Sequence, residues 1–382
     1  AIQVLDRWLA TGRPAERLLA EWGRANRYAG SGDRRAIADL VYDAIRRKRS
    51  AAWTSGSGTG RGLVHGSMLI DGTSPDTVFT GALHAPEALS LLEQNRSASV
   101  SEAPWGVRVD LPDWLERHLG AFPEPTLRAL GARAPLDLRV NRLKSDLPAA
   151  RAALDAARIS TEARSGRPDF LRVTGGAHLV QHSAPYLDGL VEIQDASSQA
   201  AAAFAAARAG ERVLDLCAGG GGKALALAAD LENRGRLFVH DVSAERLAQL
   251  PDRAERAGAD VELVGTKELT GLKRSLDLVF VDAPCSGSGT WRRSPEAKWA
   301  FTPDRLVELI GLQNELLETG LRLIRPGGRL VYVTCSLIAE ENAARVNRLL
   351  NLHPHLSIES TLTLDNLDDG DGFFAARIVT TQ

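Results

Sequence analysis

From residue 211 onward, short apolar runs alternate with helical segments, and this alternation restricts the possible folds more than any other feature. Chains that alternate strands and helices in this way form a parallel sheet with right-handed crossovers and helices on both faces. We therefore predict a Rossmann-like α/β domain with a mainly parallel, seven-stranded sheet over residues 201–382. The predicted strands are Arg212–Leu216, Arg236–His240, Val261–Val264, Leu276–Val281, Arg329–Val333, Leu356–Glu359 and Phe373–Val379.

Two further domains are predicted before this sheet. Residues 1–133 read as an all-α domain, because apolar residues between Ile37 and Ile45 fall at helical spacing. A stretch rich in glycine and serine, residues 51–62, reads as a flexible connector between helices. Residues 134–200 begin with an alternating strand, Leu136–Leu143, and then a helical segment, which predicts a small α+β module.

Polar and reactive residues follow the predicted strands of the large sheet. The first strand leads into a glycine loop, Gly219–Gly222, and the second ends at Asp241. Asp282 ends the fourth strand, Cys285 comes three residues later, and Cys335 follows the fifth strand. A single cysteine in such a loop is more often structural than catalytic. Because the carboxyl ends of parallel strands meet at one edge of the sheet, we expect these residues to share one site.

The glycine loop is compatible with more than one ligand. Gly219-x-Gly221-x-x-Ala224 matches the dinucleotide fingerprint, and Asp241 lies near the usual offset of a ribose-binding acid. The pattern therefore fits a nicotinamide cofactor, and it also fits S-adenosylmethionine, which carries an adenosine as well. A tight strand-to-helix turn without any ligand is the third interpretation.

The two cysteines favour one chemistry over hydride transfer. Cytosine C5 is a poor nucleophile, but addition of a thiolate at C6 turns the ring into an enamine that reacts at C5. A carboxyl group beside the ring relieves the charge that develops at N3, and a second thiol can assist release of the product. A hydride-transfer enzyme needs no such pair. Asp282, Cys285 and Cys335 therefore favour a cytosine C5 methyltransferase.

Several motifs resemble, in the same order, those of the RNA cytosine-5 methyltransferases of the Sun/Nop family, and they extend over residues 194–374. Leu138–Asn141 is similar to the linking module of that family. Gly32–Arg35 and Leu40–Tyr42 resemble the NusB-like RNA-binding domain of its bacterial 16S rRNA branch. The catalytic-domain motifs are Asp215-Leu216-Cys217-Ala218-x-x-Gly221-Gly222-Lys223, Asp282-Ala283-Pro284-Cys285-Ser286-Gly287-x-Gly289, Arg293-x-Pro295-Glu296-x-Lys298-Trp299, Thr334-Cys335-Ser336 and Asp369-Gly370-Asp371-Gly372-Phe373-Phe374.

The resemblance implies S-adenosyl-L-methionine as the cofactor and a role for each matching residue. It makes Cys335 the nucleophile and gives Cys285 a part in product release. The residues alone do not show which of the two cysteines attacks. It places Asp282 against the cytosine edge and Lys223 near substrate and cofactor. The expected cofactor-binding residues are Cys217, Ala218, Gly219, Gly220, Gly221, Gly222, Lys223, Asp241, Arg246, Thr266 and Asp282.

The chain departs from the family pattern around the adenosine. Gly219, Gly220 and Ala224 stand where the family usually has Ala, Pro and Thr, and the stretch around Thr266 lacks the acid that usually follows the third strand. Glycine in place of proline raises the cost of ordering the loop. We expect an active enzyme with an altered adenosine pocket. That expectation fails if calorimetry detects no binding of S-adenosylmethionine at millimolar concentrations.

Composition argues against several other classes. Three widely spaced cysteines predict a reducing compartment without disulfides, and they lack the paired spacing of a zinc site. No apolar run approaches the ~20 residues of a membrane span, and the first residues lack the order of a signal peptide. We therefore expect a cytoplasmic monomer with no metal. The net charge of −2 means that nucleic acid must bind a local basic face.

RNA is the expected partner, with 16S rRNA as the first candidate and tRNA as the alternative within the family. The first 50 residues are basic, with 11 Lys and Arg against 6 Asp and Glu. Arg292, Arg293 and Lys298 are predicted either to hold phosphates or to form a solvated loop. Trp291 and Trp299 either stack on bases or pack in a core. A catalytically idle RNA-binding or ribosome-assembly factor is the alternative from a different class.

Overall fold

The computed structural model describes residues 1–367 and 369–380. It divides into two compact units. The first comprises Ala1–Ala134 with Thr290–Pro303, and the second comprises Pro135–Gly289 with the chain from Asp304 onward. Within the described ranges, no helix has the length and apolar character needed to cross a membrane. The same residues contain no group of three or more His, Cys, Asp and Glu side chains arranged to hold a metal ion.

The first unit is helical, as the apolar periodicity predicted. Its core contains Leu5, Leu18, Val41, Ile45 and Leu63, all fully buried. The α-helices are Ile2–Thr11, Ala15–Ala25, Ser31–Arg46, Lys48–Ser55, Gly60–Ile70, Leu91–Gln94, Trp105–Arg108, Glu116–Leu119, Glu124–Ala129 and Ala297–Ala300, and 3-10 turns lie at Pro75–Thr77, Val100–Glu102 and Asp113–Leu115.

The predicted connector at residues 51–62 is wrong over most of its length. One helix continues to Ser55, and the next begins at Gly60. A Cβ atom on Gly66 would lie 1.9 Å from the carbonyl oxygen of Ala51, so glycine lets these two helices approach closely. Composition alone could not distinguish glycines that serve packing from glycines that serve flexibility.

The segment 290–303 belongs to the helical unit, and this corrects one prediction. The Lys298 side chain is fully buried and donates a hydrogen bond to the Arg46 carbonyl at 2.6 Å. Burial lowers the pKa of Lys298 to about 8, although the charge of Asp110 opposes this shift. Arg292 is only 3% exposed and Trp291 only 1%. The predicted phosphate contacts are therefore wrong for Lys298 and Arg292, and Trp291 packs in a core.

The second unit contains a four-stranded antiparallel sheet with the order β2-β3-β1-β4. Its strands are β1 (Asp137–Val140), β2 (Ser160–Arg164), β3 (Arg167–Gly175) and β4 (Val191–Ile193). The accompanying helices are Leu147–Ala156 and Ala184–Leu187, with a 3-10 segment at Ala177–His182. The region is α+β as predicted, although β2 and β4 were not predicted from the sequence.

A seven-stranded sheet, counted over the described residues, follows in the same unit with the order β10-β11-β9-β8-β5-β6-β7. The pairs from β9 to β7 are parallel, and β11 and β10 add to β9 as antiparallel strands. The predicted Rossmann-like, mainly parallel sheet is confirmed. Its strands are β5 (Arg212–Asp215), β6 (Arg236–Val239), β7 (Glu262–Leu263), β8 (Leu276–Asp282), β9 (Ile324–Thr334), β10 (Leu356–Leu364) and β11 (Phe373–Thr380).

Apolar layers cover both faces of this sheet. Val279 and Leu330 pack into one layer, while Leu278, Phe280 and Val331 pack into the other. Strands buried on both faces read as continuous apolar runs, which is why β8 was predictable. The surrounding α-helices are Ala196–Phe204, Gly222–Leu231, Ala244–Leu247, Leu250–Ala257, Pro303–Leu323 and Ala343–Leu352, and 3-10 turns lie at Glu268–Leu272, Ser288–Thr290 and Ala339–Glu341.

The order of the strands positions the site. The chain runs from β5 outward to β6 and β7, then returns to place β8 and β9 on the other side of β5. Helices that follow strands on either side of such a reversal lie on opposite faces, which opens a crevice at the carboxyl ends of the strands. The crevice therefore lies between β5 and β8, where the glycine loop and Asp282 are found.

Candidate active site

An ion pair joins the ends of β5 and β8. Lys223, in the first turn of the helix that follows the glycine loop, donates a hydrogen bond to Asp282 at 2.7 Å. Burial acts to lower the pKa of Lys223, but the charge and hydrogen bond of Asp282 outweigh it and raise that pKa above its ordinary value. Interaction with Cys335 raises the Lys223 pKa further. Lys223 therefore carries a positive charge beside the Asp282 carboxylate.

The two predicted cysteines are neighbours. The Sγ atoms of Cys285 and Cys335 lie 3.4 Å apart, because the parallel strands β8 and β9 end side by side and each cysteine follows its strand within three residues. The hydrogen bond with Cys335 and burial raise the pKa of Cys285 well above its ordinary value, and the charge of Glu341 adds to this shift. Cys285 is therefore a neutral thiol at physiological pH.

A buried carboxylate holds the two cysteine loops together. Glu341 is fully buried and accepts hydrogen bonds from the backbone N–H of Ser286 at 2.8 Å and from Gln313 at 3.0 Å. It also accepts from the hydroxyls of Ser286 and of Ser336, the latter at 2.6 Å. Each serine follows one of the cysteines directly. Glu341 thus fixes both thiols through their neighbours, a role that the sequence analysis missed.

The glycine loop lies between the ends of β5 and β6. Gly219 and Gly221 have φ values of +53° and +83°, a region that side chains other than glycine rarely adopt. The Gly219 N–H donates to Asp241 at 2.8 Å, and the Ala218 N–H donates to the carbonyl of His240 at 2.9 Å. The predicted cofactor residues Cys217, Gly220 and Gly222 lie on the same loop. These contacts tie the loop to the residue expected to bind ribose.

The remaining predicted cofactor residues extend away from the thiols. Asp241 also accepts from the N–H of Ser243 at 2.9 Å, and a guanidinium nitrogen of Arg246 lies 3.4 Å from its carboxylate. Thr266, past the end of β7, lies 3.2 Å from Nε2 of His240. Arg246 and Thr266 follow β6 and β7, whereas Lys223, Asp282 and the two thiols follow or end β5, β8 and β9.

Asp215 is a second functional candidate that the sequence analysis quoted without assigning a role. It ends β5 fully buried, and its Oδ2 atom has no hydrogen-bond partner among the described residues. Burial, and then the nearby charge of Asp282, raise the Asp215 pKa to about 8. Burial and the charge of Asp215 also raise the pKa of Cys217 well above its ordinary value. The predicted strand extended to Leu216, so Asp215 lay inside it, whereas in the structure β5 ends at Asp215 as β8 ends at Asp282.

Comparison with known proteins gives consistent results. The family model described as 16S rRNA methyltransferase RsmB/F matches residues 202–378. Ribosomal RNA small subunit methyltransferase B of Salmonella arizonae is 34% identical over 288 residues, which represent 70% of this chain. The chain spans 66% of the length of that relative.

Solved structures share the fold. The crystal structure of PH0851 matches 99% of this chain and 98% of its own, with a TM-score of 0.78 and 22% identity, and at that identity the likeness concerns the fold alone. A methyltransferase homolog protein from Pyrococcus horikoshii matches 74% of this chain and 99% of its own, with a TM-score of 0.64 and 26% identity.

Proposed function

Residues 202–378 of the chain belong to the RsmB/F methyltransferase family, and on that premise we propose that the protein methylates C5 of a cytosine in RNA. The proposed methyl donor is S-adenosylmethionine and the proposed substrate is 16S rRNA, in the cytoplasm. One observation carries the proposal: two thiols 3.4 Å apart lie at the ends of neighbouring strands, on the same crevice as the Asp282–Lys223 pair. Methyl transfer to a more nucleophilic atom would need neither thiol.

The residues at the cofactor end of the crevice fit a cationic donor. Asp215 and Asp282 end β5 and β8, Asp241 follows the adjacent strand β6 by two residues, and the buried Oδ2 atom of Asp215 has no partner among the described residues. S-adenosylmethionine carries a positive sulfonium, an amine and ribose hydroxyls, all of which complement carboxylates. The pyrophosphate of a nicotinamide dinucleotide would instead meet the Asp241 carboxylate as a like charge. This charge pattern favours S-adenosylmethionine over the dinucleotide alternative.

Asp241, Asp215 and the loop Gly219–Gly222 are the residues that would hold the cofactor. Glycine leaves the backbone of the loop accessible to a ligand, because no side chain projects from it. When bound, S-adenosylmethionine supplies an electrophilic methyl group. The remaining task of the protein is to make cytosine C5 nucleophilic.

Cys335 is proposed to perform this activation. Cys335, having lost its proton to solvent, adds to C6 as a thiolate and forms a covalent bond, and the electrons of the C5–C6 double bond become available at C5. Asp282 binds the edge of the ring that carries N3, and Lys223 holds the Asp282 carboxylate in place with its 2.7 Å hydrogen bond. Lys223 also offsets the negative charge that develops when the thiolate adds to the ring. The Sun/Nop resemblance supports Cys335 as the attacking thiol.

Cys285 is proposed to act when the product leaves. After methyl transfer, the C5 proton passes to water, the electrons of the C5–H bond form the C5–C6 double bond again, and the bond between Cys335 and C6 breaks to return the Cys335 thiolate. The raised pKa of Cys285 keeps it a neutral thiol that donates a hydrogen bond to the departing sulfur. The distance of 3.4 Å between the two Sγ atoms is suited to that contact.

Bisulfite sequencing tests the function directly. Unmethylated 16S rRNA would be incubated with the protein and S-adenosylmethionine, with Cys335→Ala as the matched control. We expect a resistant cytosine after treatment with the wild-type protein and none with the variant. Transcribed tRNA under the same conditions tests the alternative substrate. If no RNA gains a resistant cytosine although calorimetry detects bound S-adenosylmethionine, the proposed reaction is wrong.

A further inference from the structure

The glycine loop, Gly219–Gly222, has no side chains of its own that could restrict its conformation. Gly219, Gly220, Gly221 and Gly222 follow one another without a side chain, and the proline usual in the family is absent from position 220. A glycine run has more conformations available in the flexible state than a run containing proline, so fixing it costs more free energy. The order of this loop must therefore come from contacts made by other parts of the chain.

The helix Leu250–Ala257 supplies the first of these contacts. A Cβ atom on Gly221 would lie 2.2 Å from Cδ1 of Leu250, so the beginning of the helix packs directly on the loop. One turn further on, Arg253 donates a hydrogen bond from its guanidinium to the carbonyl oxygen of Gly220. A hydrogen bond from a charged donor is stronger than one between neutral groups. Arg253 thus restrains the residue that stands in place of proline.

The four-stranded sheet holds Arg253 in position. Glu192, on β4, accepts a hydrogen bond from Arg253 at 3.0 Å, and its side chain is only 3% exposed. Gln194, two residues after Glu192, donates a hydrogen bond to the carbonyl oxygen of Gly222 at 3.1 Å. Gln194 in turn accepts a hydrogen bond from Arg139 on β1 at 2.8 Å. Two carbonyls of the loop are therefore fixed by side chains that depend on the small sheet.

We infer that Arg253 is a positioning residue for the glycine loop and is itself held by Glu192 of the small sheet. Arg253 restricts the conformation of the loop, as proline does elsewhere in the family. The inference rests on the proposed function, because it takes this loop as the binding site for S-adenosylmethionine. Arg253 acts through the backbone of Gly220. It lowers the cost of ordering the loop when the cofactor binds.

Arg256 provides a matched control. It binds the same carboxylate of Glu192 and lies over the ring of Tyr186, 4.2 Å from the ring centroid. Within the described part of the chain, Arg256 makes no hydrogen bond to the glycine loop. Arg253→Met and Arg256→Met therefore each remove one partner of Glu192, but only the first removes a contact with the loop.

Titration calorimetry of the full chain with S-adenosylmethionine tests the inference. We expect Arg253→Met to weaken binding about tenfold, the loss of one charge-assisted hydrogen bond. Arg256→Met should bind within about twofold of the wild-type protein. In steady-state methylation, Arg253→Met should raise KM for S-adenosylmethionine and leave kcat nearly unchanged, because Arg253 does not touch the reacting atoms.

A second substitution distinguishes loop order from a general loss of stability. Gly220 lies outside the left-handed region, and a Cβ atom there would contact Nη1 of Arg253 at 3.3 Å, a clash that Arg253→Met removes. Adding Gly220→Ala to Arg253→Met restricts the flexible loop, so we expect affinity to recover about two- to fivefold.

The outcomes separate the inference from the function on which it rests. If the wild-type protein fails to bind S-adenosylmethionine, the proposed cofactor is wrong. If the wild-type protein binds and Arg253→Met binds equally well, the positioning role is wrong. Equal weakening by Arg253→Met and Arg256→Met, or no recovery in the double variant, would also overturn it, because the effect would then arise from the packing around Glu192.

Discussion

The Sγ atoms of Cys285 and Cys335 lie 3.4 Å apart although 50 residues separate them in the chain. The parallel pairing of β8 with β9 brings their loops together, and Glu341 binds the serine that follows each cysteine. Two thiols this close can serve the same substrate carbon at different stages of one reaction. Their roles are separable by experiment, since loss of the attacking thiol prevents a covalent bond and loss of the second thiol prolongs it.

Replacing the attacking thiol should eliminate activity without unfolding the protein. In Cys335→Ala, no sulfur adds to C6 and C5 stays unreactive, so we expect methylation to fall to the background of a reaction without enzyme. Incorporation of a radiolabelled methyl group into RNA measures this, and the thermal midpoint should remain within a few degrees of wild type because a small, half-buried side chain is shortened. Full activity in Cys335→Ala would rule out the assigned nucleophile.

Replacing the second thiol should have the opposite effect on the covalent complex. In Cys285→Ala, attack and methyl transfer proceed, but the departing sulfur loses its hydrogen-bond donor. We expect a protein–RNA adduct that survives a denaturing gel and depends on S-adenosylmethionine. The double variant Cys285→Ala with Cys335→Ala is the control and should give no adduct. Absence of an adduct in the single variant would contradict the role of Cys285 in release.

The sequence predicted the centre of the large sheet because strands such as β8 are buried on both faces. The run Leu276–Val281 is apolar except for Asp277, and few other elements produce such a pattern. The small sheet was harder to predict. β2 is Ser160–Arg164, mostly polar and largely exposed, and β4 has only three residues, so neither shows a clear alternation. Edge strands and very short strands depend on their partners more than on their own sequence.

Charged residues that are buried were the main source of error in assigning roles to side chains. Lys298 read as a surface cation, but its acceptor is the carbonyl of Arg46, 252 residues away in the chain. Glu341 was given no role from the sequence, although its donors include Ser286, 55 residues away in the chain. A buried charge is tolerated when such partners surround it, and those partners are known only once the fold is known. Asp282 was predictable from the sequence because it ends an apolar run, whereas Asp215 lay inside its predicted strand, Arg212–Leu216.

Glu341→Gln should impair catalysis more than stability. Glutamine keeps the shape but offers one acceptor oxygen where the carboxylate offers two, so the loops of Cys285 and Cys335 lose part of their common anchor. We expect kcat to fall by about 10- to 100-fold, as small displacements of reacting groups cause, with little change in KM for S-adenosylmethionine.

The charge of Glu341 gives a second measurement. Because that charge contributes to the raised pKa of Cys285, its removal should lower this pKa and speed the alkylation of Cys285 by iodoacetamide at pH 8. Glu340→Gln removes the same charge one residue away and should leave both kcat and alkylation near wild type. A Glu341→Gln variant with unchanged kcat would show that the anchor does not position the thiols.

The buried acid at the end of β5, Asp215, should make stability depend on pH in the absence of cofactor. Burial and the charge of Asp282 raise the pKa of Asp215 from 3.8 to about 8, so between these values the folded protein retains a proton that the unfolded chain has lost. Stability therefore decreases as pH rises through this window. Asp215→Asn has no proton to lose and keeps the acceptor for the Cys217 N–H. We expect the thermal midpoint of Asp215→Asn, relative to wild type, to rise by about 5 °C between pH 5 and pH 8 in thermal scans.

Asp252→Asn is the control, because it makes the same change at an exposed position. Its difference in thermal midpoint from the wild-type protein should be the same at both pH values. A constant offset for Asp215→Asn as well would mean that Asp215 does not titrate in this range.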